Sequence, residues 1–168
     1  MTSLIIRKAT IEDIPSIVKV RLNALTSEEV QGYSALDLSV TTSAEKLQKN
    51  WSVGNRIKDD LEVFIAEDRG ALIGYMMCNV EADAGYIDDI VVAKEKQGKG
   101  VGKALVGYVE DVAKCEGCSV MKTDTTENVN GVPWRSYGFW IKMGYEDVGE
   151  RLPTSHSFKI IPLVKRLK

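Results

Sequence analysis

Cysteine, histidine and long apolar runs are all scarce in this sequence, and each scarcity argues against a class of function. Three cysteines in 168 residues are an odd number, in a chain long enough to bury a core without staples, so a secreted disulfide framework is not expected. Cys115 and Cys118 form a C-x-x-C pair, yet no second pair completes a zinc quartet and the single histidine, His156, lies far along the chain. No metal is therefore expected, and the pair reads as the end of a helix. No apolar stretch approaches the roughly 18 residues of a membrane span, and the amino terminus MTSLIIRKAT has no signal-peptide hydrophobic region of useful length. A cytoplasmic protein with no membrane partner is the expectation. The formal charge of −2 argues against a nucleic-acid partner, because little in bulk would release counterions from phosphates. There is no internal repeat and no low-complexity segment, and one domain over residues 1–168 is expected.

What is present is an alternation of elements. Leu4 to Lys8 predicts a strand, and Thr10-Ile11-Glu12-Asp13 has the form of a capping box opening a helix in which Ile14, Ile17, Val18, Leu22 and Leu25 recur at helical spacing. A polar, irregular stretch from Thr26 to Thr42 follows, and then Ser43 or a neighbour caps a second helix containing Ala44, Leu47 and Trp51. Glu62 to Glu67 and Ala71 to Val80 read as strands joined by Asp68-Arg69-Gly70, short enough for an antiparallel hairpin. A third strand, Tyr86 to Ala93, is expected after an Ala84-Gly85 turn, and helical periodicity from Val101 to Val112 stops at Glu116-Gly117. Ser119 to Thr125 predicts a strand and Pro133 to Met143 a helix with proline at or near its first position, while Tyr145 to Arg151 and Ser157 to Val164 predict two closing strands. The order implies a mixed α/β fold, a mostly antiparallel central sheet of about seven strands flanked by about four helices.

The densest chemical signal lies between the third strand and the helix after it. Gly98, Gly100 and Gly102 allow backbone amides to crowd around an anion at a helix amino terminus, with Lys99 and Lys103 adding charge. A flexible, solvated turn is the competing reading. A nucleotide P-loop fails on spacing, since Gln97 stands where its first glycine belongs and Ala104 where its hydroxyl belongs; G-x-G-x-G also departs from the dinucleotide pattern G-x-G-x-x-G.

Gln97-x-x-Gly100-x-Gly102, after a strand ending Ile90-Val91-Val92, resembles the Q/R-x-x-G-x-G/A turn of the GNAT superfamily of acyl-CoA N-acyltransferases. The element order, and Lys142-Met143-Gly144-Tyr145 as a closing K-x-G-F/Y segment, extend the resemblance over nearly the whole chain. The resemblance implies acetyl-CoA as cosubstrate, with its pantetheine arm along Ile90, Val91 and Val92. Its pyrophosphate would meet the amides of Gln97, Gly98, Lys99, Gly100, Val101, Gly102 and Lys103, and Asn128 or Asn130 would reach the cofactor. A free amide near Val91 would stabilise the oxyanion.

An amine with a pKa near 10.4 is only about one part in 10³ to 10⁴ deprotonated at pH 7, so a carboxylate should accept its proton. Asp88 and Asp89 sit on this strand, and alternation sends them to opposite faces. Asp88 matches the glutamate in the Ile-Glu-Asp-Ile stretch of glucosamine-phosphate N-acetyltransferases and ranks first as base; the competing reading is that both aspartates cap the sheet or hold a loop. In the family that the chain resembles, a tyrosine of the last helix protonates the leaving thiolate; aligning on Lys142-Met143-Gly144-Tyr145 puts Trp140 at its place, and Tyr137, three residues earlier, is the substitute candidate. Glu28, Glu29, Asp37, Glu81 and Asp83 would suit a cationic acceptor such as a polyamine, a lysine side chain or a peptide amino terminus. The closing strands offer edges for a homodimer. A non-catalytic acyl-CoA sensor or interaction domain is the alternative reading, favoured by Trp140, and a nucleotide-binding protein is a third.

Overall fold

The computed structural model describes residues 3–26, 42–52, 54–57, 60–81, 83–154 and 157–168. It divides into two compact units, Met1–Asn79 with Asp88–Val109 and Val80–Ile87 with Glu110–Lys168. Strand β5 (Ala84–Val92) and helix α3 (Val101–Cys115) each run from one unit into the other.

The first unit begins with β1 (Leu4–Lys8), and Arg7 grips Asp13 through Nη1 and Nη2 at 2.8 and 2.9 Å. The Thr10 N–H donates to Asp13 Oδ2 at 2.7 Å, so the capping box read from the sequence forms, opening a short 3-10 turn that continues into α1 (Ile14–Ala24). Helix α2 (Ala44–Asn50) is capped by Ser43, whose Oγ accepts the Lys46 N–H. Trp51, expected inside that helix, is extended just beyond it. It bridges Ile57 of β2 (Arg56–Ile57), a two-residue strand too short to show a period, and its indole N–H donates to the Gly54 carbonyl at 2.9 Å.

Strands β3 (Leu61–Asp68) and β4 (Ala71–Val80) form the expected antiparallel hairpin. Arg69 and Gly70 both have positive φ, 52° and 82°, the twist that a two-residue hairpin turn requires. The order in this unit is β1-β3-β4-β5, with β2 also on β3. One face, carrying Val63, Ile65, Tyr75, Met77 and Val91, joins Ile14, Ile17 and Val18 of α1 and Leu47 of α2 in a single buried cluster. On the other face Phe64 packs against Tyr108 of α3, ring centroids 5.5 Å apart. Burial on both faces is why β3 and β4 read as continuous apolar runs.

In the second unit the order is β5-β6-β9-β7, with β8 also on β9, where β6 is Val120–Glu127, β7 Glu146–Asp147, β8 Leu152–Pro153 and β9 Lys159–Arg166. The β5–β6 ladder is parallel, β6–β9 antiparallel. Ala84 and Gly85, expected as a turn, belong to β5, and the turn lies just before them, where the Glu81 N–H donates to the Ala84 carbonyl at 3.1 Å. Gly85 is glycine for closeness, since a Cβ there would overlap Met121 Sδ.

Helix α4 spans only Ser136–Lys142. Pro133 instead sits in an extended bridge to Glu127, and the Trp134 N–H donates to the Thr126 carbonyl at 2.8 Å. The expected closing strand from Tyr145 to Arg151 shrinks to β7, because Gly149, at φ 85°, turns the chain. Helix α3 ends at Cys115, and Gly117 adopts φ 88°, the left-handed stop anticipated there. The Cys118 thiol is buried and donates to the Glu81 carbonyl, while Cys115 is exposed. The mostly antiparallel mixed α/β architecture is that expected, with four α-helices among the described residues. No described helix is long and apolar enough to cross a membrane.

Gly74 of β4 fixes how closely α3 approaches the sheet, since a Cβ there would stand 3.1 Å from the Val91 carbonyl oxygen and 3.4 Å from Val101 Cγ1. Gly74→Val is expected to destabilise the protein by about 1–3 kcal/mol through overpacking, read as a lower urea midpoint at unchanged slope.

Candidate functional site

Strand β5 leaves the first unit's sheet at Val92, and the Ala93 N–H makes a last sheet-like bond to the Ile73 carbonyl at 2.8 Å. A 3-10 turn over Lys94–Lys96 follows, Gln97 is extended, and Gly98 and Gly100 have φ of 75° and 88° before α3 begins at Val101. These two positions demand glycine through their backbone, because an added Cβ would meet nothing within 4 Å at either. The same openness leaves room for a ligand against the amides. Lys99 and Lys103 are exposed beside them.

The base of the turn is braced. Gln97 Nε2 donates to the Val92 carbonyl at 2.9 Å, the Lys94 N–H donates to Asn23 Oδ1 at 2.7 Å, and Lys96 Nζ lies 3.6 Å from Asp68. A braced turn with two left-handed glycines, opening a helix of 15 residues, is the kind of place where a helix amino terminus favours an anion. Of the residues expected to hold the cofactor, Ile90, Val91, Val92 and Gln97 to Lys103 are thus contiguous in the first unit. The fold holds Gln97 by its side chain to the end of β5, a role the motif did not disclose.

The two aspartates of β5 differ in setting. Asp88 is exposed. Asp89 is half-buried as a residue, with its carboxyl turned inward, where it accepts the Tyr75 hydroxyl at 3.3 Å and the Ile90 N–H. Burial pushes the Asp89 carboxyl above the ordinary carboxylate range, and the charge of Arg21 together with these two hydrogen bonds opposes that shift. Arg21 and Tyr75 are themselves buried, in α1 and β4. Neither could be linked to Asp89 from sequence, because the three residues come from separate elements.

In the second unit the β5–β6 ladder ends at Tyr86 and Lys122, and Ile90, Val91 and Val92 come after that end in sequence. Thr123 Oγ1 donates to the Ile87 carbonyl at 3.0 Å, and the Tyr86 hydroxyl donates to Asp124. Asn128 closes a tight turn with its side chain, Oδ1 accepting the N–H of Asn130 at 2.9 Å and of Val132 at 3.0 Å. Trp140 is packed edge-on between Phe139 and Tyr145 at centroid distances of 5.0 Å each, a core residue where the resemblance expects a functional tyrosine.

The Tyr137 hydroxyl donates to Asp147 Oδ2 at 3.0 Å, and this bond, together with partial burial and the Asp147 charge, raises the phenol above its ordinary range. Asp147 is also forked by Arg151 at 2.9 Å on both oxygens, and Arg151 Nε reaches Glu127 at 2.9 Å. No signal in the sequence pointed to this cluster, because Asp147 and Arg151 meet through the turn at Gly149 and not along a helix. Glu81 and Asp83 are exposed, whereas Glu28, Glu29, Asp37 and His156 lie outside the described residues.

Residues 23–144 match the sequence model of the acetyltransferase (GNAT) family. The chain belongs to that family. No curated protein sequence matches it significantly. Among solved structures it is similar to the PaiA N-acetyltransferase of Thermoplasma acidophilum in complex with coenzyme A, at 21% identity and TM-score 0.71 over 98% of this chain and 99% of that one. It is also similar to the ribosomal-protein-S18-alanine N-acetyltransferase of Escherichia coli, at 14% identity and TM-score 0.67 over 98% and 94% of the two chains. An aminoglycoside 6'-N-acetyltransferase complexed with coenzyme A gives 15% identity and TM-score 0.69 over 98% and 97%. Identities this low establish a shared fold.

The Asp147 cluster predicts a pH dependence. Arg151 holds the Asp147 carboxyl at about 2 against an ordinary 3.8, so its stabilising contribution is complete above that ordinary value and is lost as pH falls from about 4 to 2. The melting temperature should drop over this interval, and Asp147→Asn should flatten the drop while lowering the neutral-pH value.

Proposed function

We propose that this chain is an acetyl-CoA-dependent N-acetyltransferase that delivers the acetyl group to a primary amine by direct attack in a ternary complex. The observation that carries the reading is the braced Gly98–Gly100 turn at the head of α3, open where a diphosphate would sit, in a member of an acetyltransferase family. In this reading the amides from Gln97 to Lys103 receive the pyrophosphate and the main chain of Ile90, Val91 and Val92 pairs with the pantetheine amides as an added strand would. Asn128 or Asn130 contributes a further cofactor contact. The bound thioester supplies the acyl group, and the Val91 amide stabilises the charge that develops on its oxygen.

Asp88, exposed on the cofactor strand, accepts the amine proton directly or through water. For the leaving thiolate, Tyr137 is the candidate donor within the chain. Its proton is already engaged by Asp147, and since a thiolate leaves readily and water can protonate it, this step asks little of the protein. A cationic acceptor is favoured by the exposed Glu81 and Asp83. The free thiols Cys78, Cys115 and Cys118 suit a reducing cytoplasm. A second reading, an acyl-CoA sensor, draws support from the burial of Trp140 at the position of the usual acid.

Calorimetry with acetyl-CoA tests the cofactor, and release of free thiol with a panel of polyamines, lysine and peptide amino termini tests transfer. Binding together with amine-dependent thiol release is expected; binding without release supports the sensor, and no heat at all removes both readings. Asp88→Asn should lower kcat/KM by about 10² or more at neutral pH and abolish its acid limb, and an unchanged profile removes the base assignment. Tyr137→Phe should keep turnover within about threefold, whereas a loss of 10² or more assigns it the proton transfer.

A further inference from the structure

The 3-10 turn at the foot of the diphosphate loop has an unusual start. Its N-cap residue is Ala93, which has no side-chain oxygen to receive the first free N–H, and Ala93 is itself buried in the first unit's core. The cap is supplied from 71 residues away, where Asn23 Oδ1, in the last turn of α1, accepts the Lys94 N–H at 2.7 Å. Gln97 Nε2, from just past the turn, donates back to the Val92 carbonyl at 2.9 Å, the last of β5. The entry to the turn is therefore held twice, by α1 through the Lys94 N–H and by Gln97 through the Val92 carbonyl, and Gly98 to Gly100 follow Gln97.

We propose that Asn23 is a positioning residue for the diphosphate site. By capping the Lys94 N–H it fixes the direction in which the chain enters Gly98–Gly100, so that helix α1 holds the amides of the loop in the ligand-ready arrangement before coenzyme A arrives. Asn23 touches no phosphate in this account; it acts through Lys94. The hydrogen bond is solvent-accessible, so its loss leaves the Lys94 N–H to water and loosens the turn without opening the core. Ordering the turn then becomes part of the cost of binding, and affinity falls while the fold persists. The inference rests on the acetyl-CoA reading above.

The test is calorimetry of the full chain with coenzyme A and with pantetheine, which lacks the phosphates, at 0.15 M and about 0.5 M salt, the higher concentration screening added charge. Asn23→Ala should weaken coenzyme A binding about three- to tenfold, the scale of one net hydrogen bond. Its melting temperature and pantetheine affinity should be unchanged. Asn23→Asp, which keeps the accepting oxygen, should restore coenzyme A affinity at the higher salt. If Asn23→Ala binds coenzyme A like the wild type, if it loses pantetheine affinity equally, or if Asn23→Asp fails to rescue a folded protein, the positioning role is overturned. Failure of the wild type to bind coenzyme A, in contrast, removes the cofactor reading itself.

Discussion

The turn between β5 and α3 reverses a strand into a helix within a few residues, and two left-handed backbones make that possible. Only glycine takes φ near 75° and 88° at Gly98 and Gly100 without strain, and the side-chain-free surface that results leaves open space at the head of α3. The rest of the first unit serves this constraint. Gly74 lets α3 approach the sheet, Val101 and Leu105 meet it there, and Tyr108 stacks on Phe64 further along. A loop of such permissive residues would wander if left alone. Contacts from α1, β3 and its own Gln97 prevent that by fixing its foot while its tip stays open.

Charge is handled in two ways. In the first unit Asp89 is drawn inward, and the burial that raises its carboxyl is opposed by the Arg21 charge, the Tyr75 hydroxyl and a backbone amide. In the second unit Asp147 is held by a guanidinium fork, a backbone amide and the Tyr137 hydroxyl, and its carboxyl is driven low. The contrast follows from the dominant influence at each site, desolvation for Asp89 and a charge-assisted hydrogen bond for Asp147. It also separates the neighbours Asp88 and Asp89, which sequence places side by side: one remains in solvent, and the other becomes part of the interior.

The fold was legible wherever the pattern was local. The capping box at Thr10, the Ser43 cap, the Arg69-Gly70 hairpin and the Gly117 stop form as expected because each is decided by residues within a few positions. The departures share a cause. Gly85 resembled a turn residue but lies in β5 against Met121, distant in sequence; Pro133 resembled a helix start but pairs with Glu127; Trp51 continued a helical period but is taken up by β2. In each case a pairing or packing contact beyond the reach of one helical turn overrode a local preference.

The sequence by itself determined the alternation of elements, the glycine turn and the family, because periodicity and a short motif are properties of neighbours along the chain. Tertiary structure alone decided which carboxyl is buried, that Trp140 is core, that Tyr137 is bound to Asp147, and that Asn23 caps a turn 71 residues away. Those facts depend on which elements meet in space, and the free energy of such meetings is written in packing and desolvation rather than in spacing.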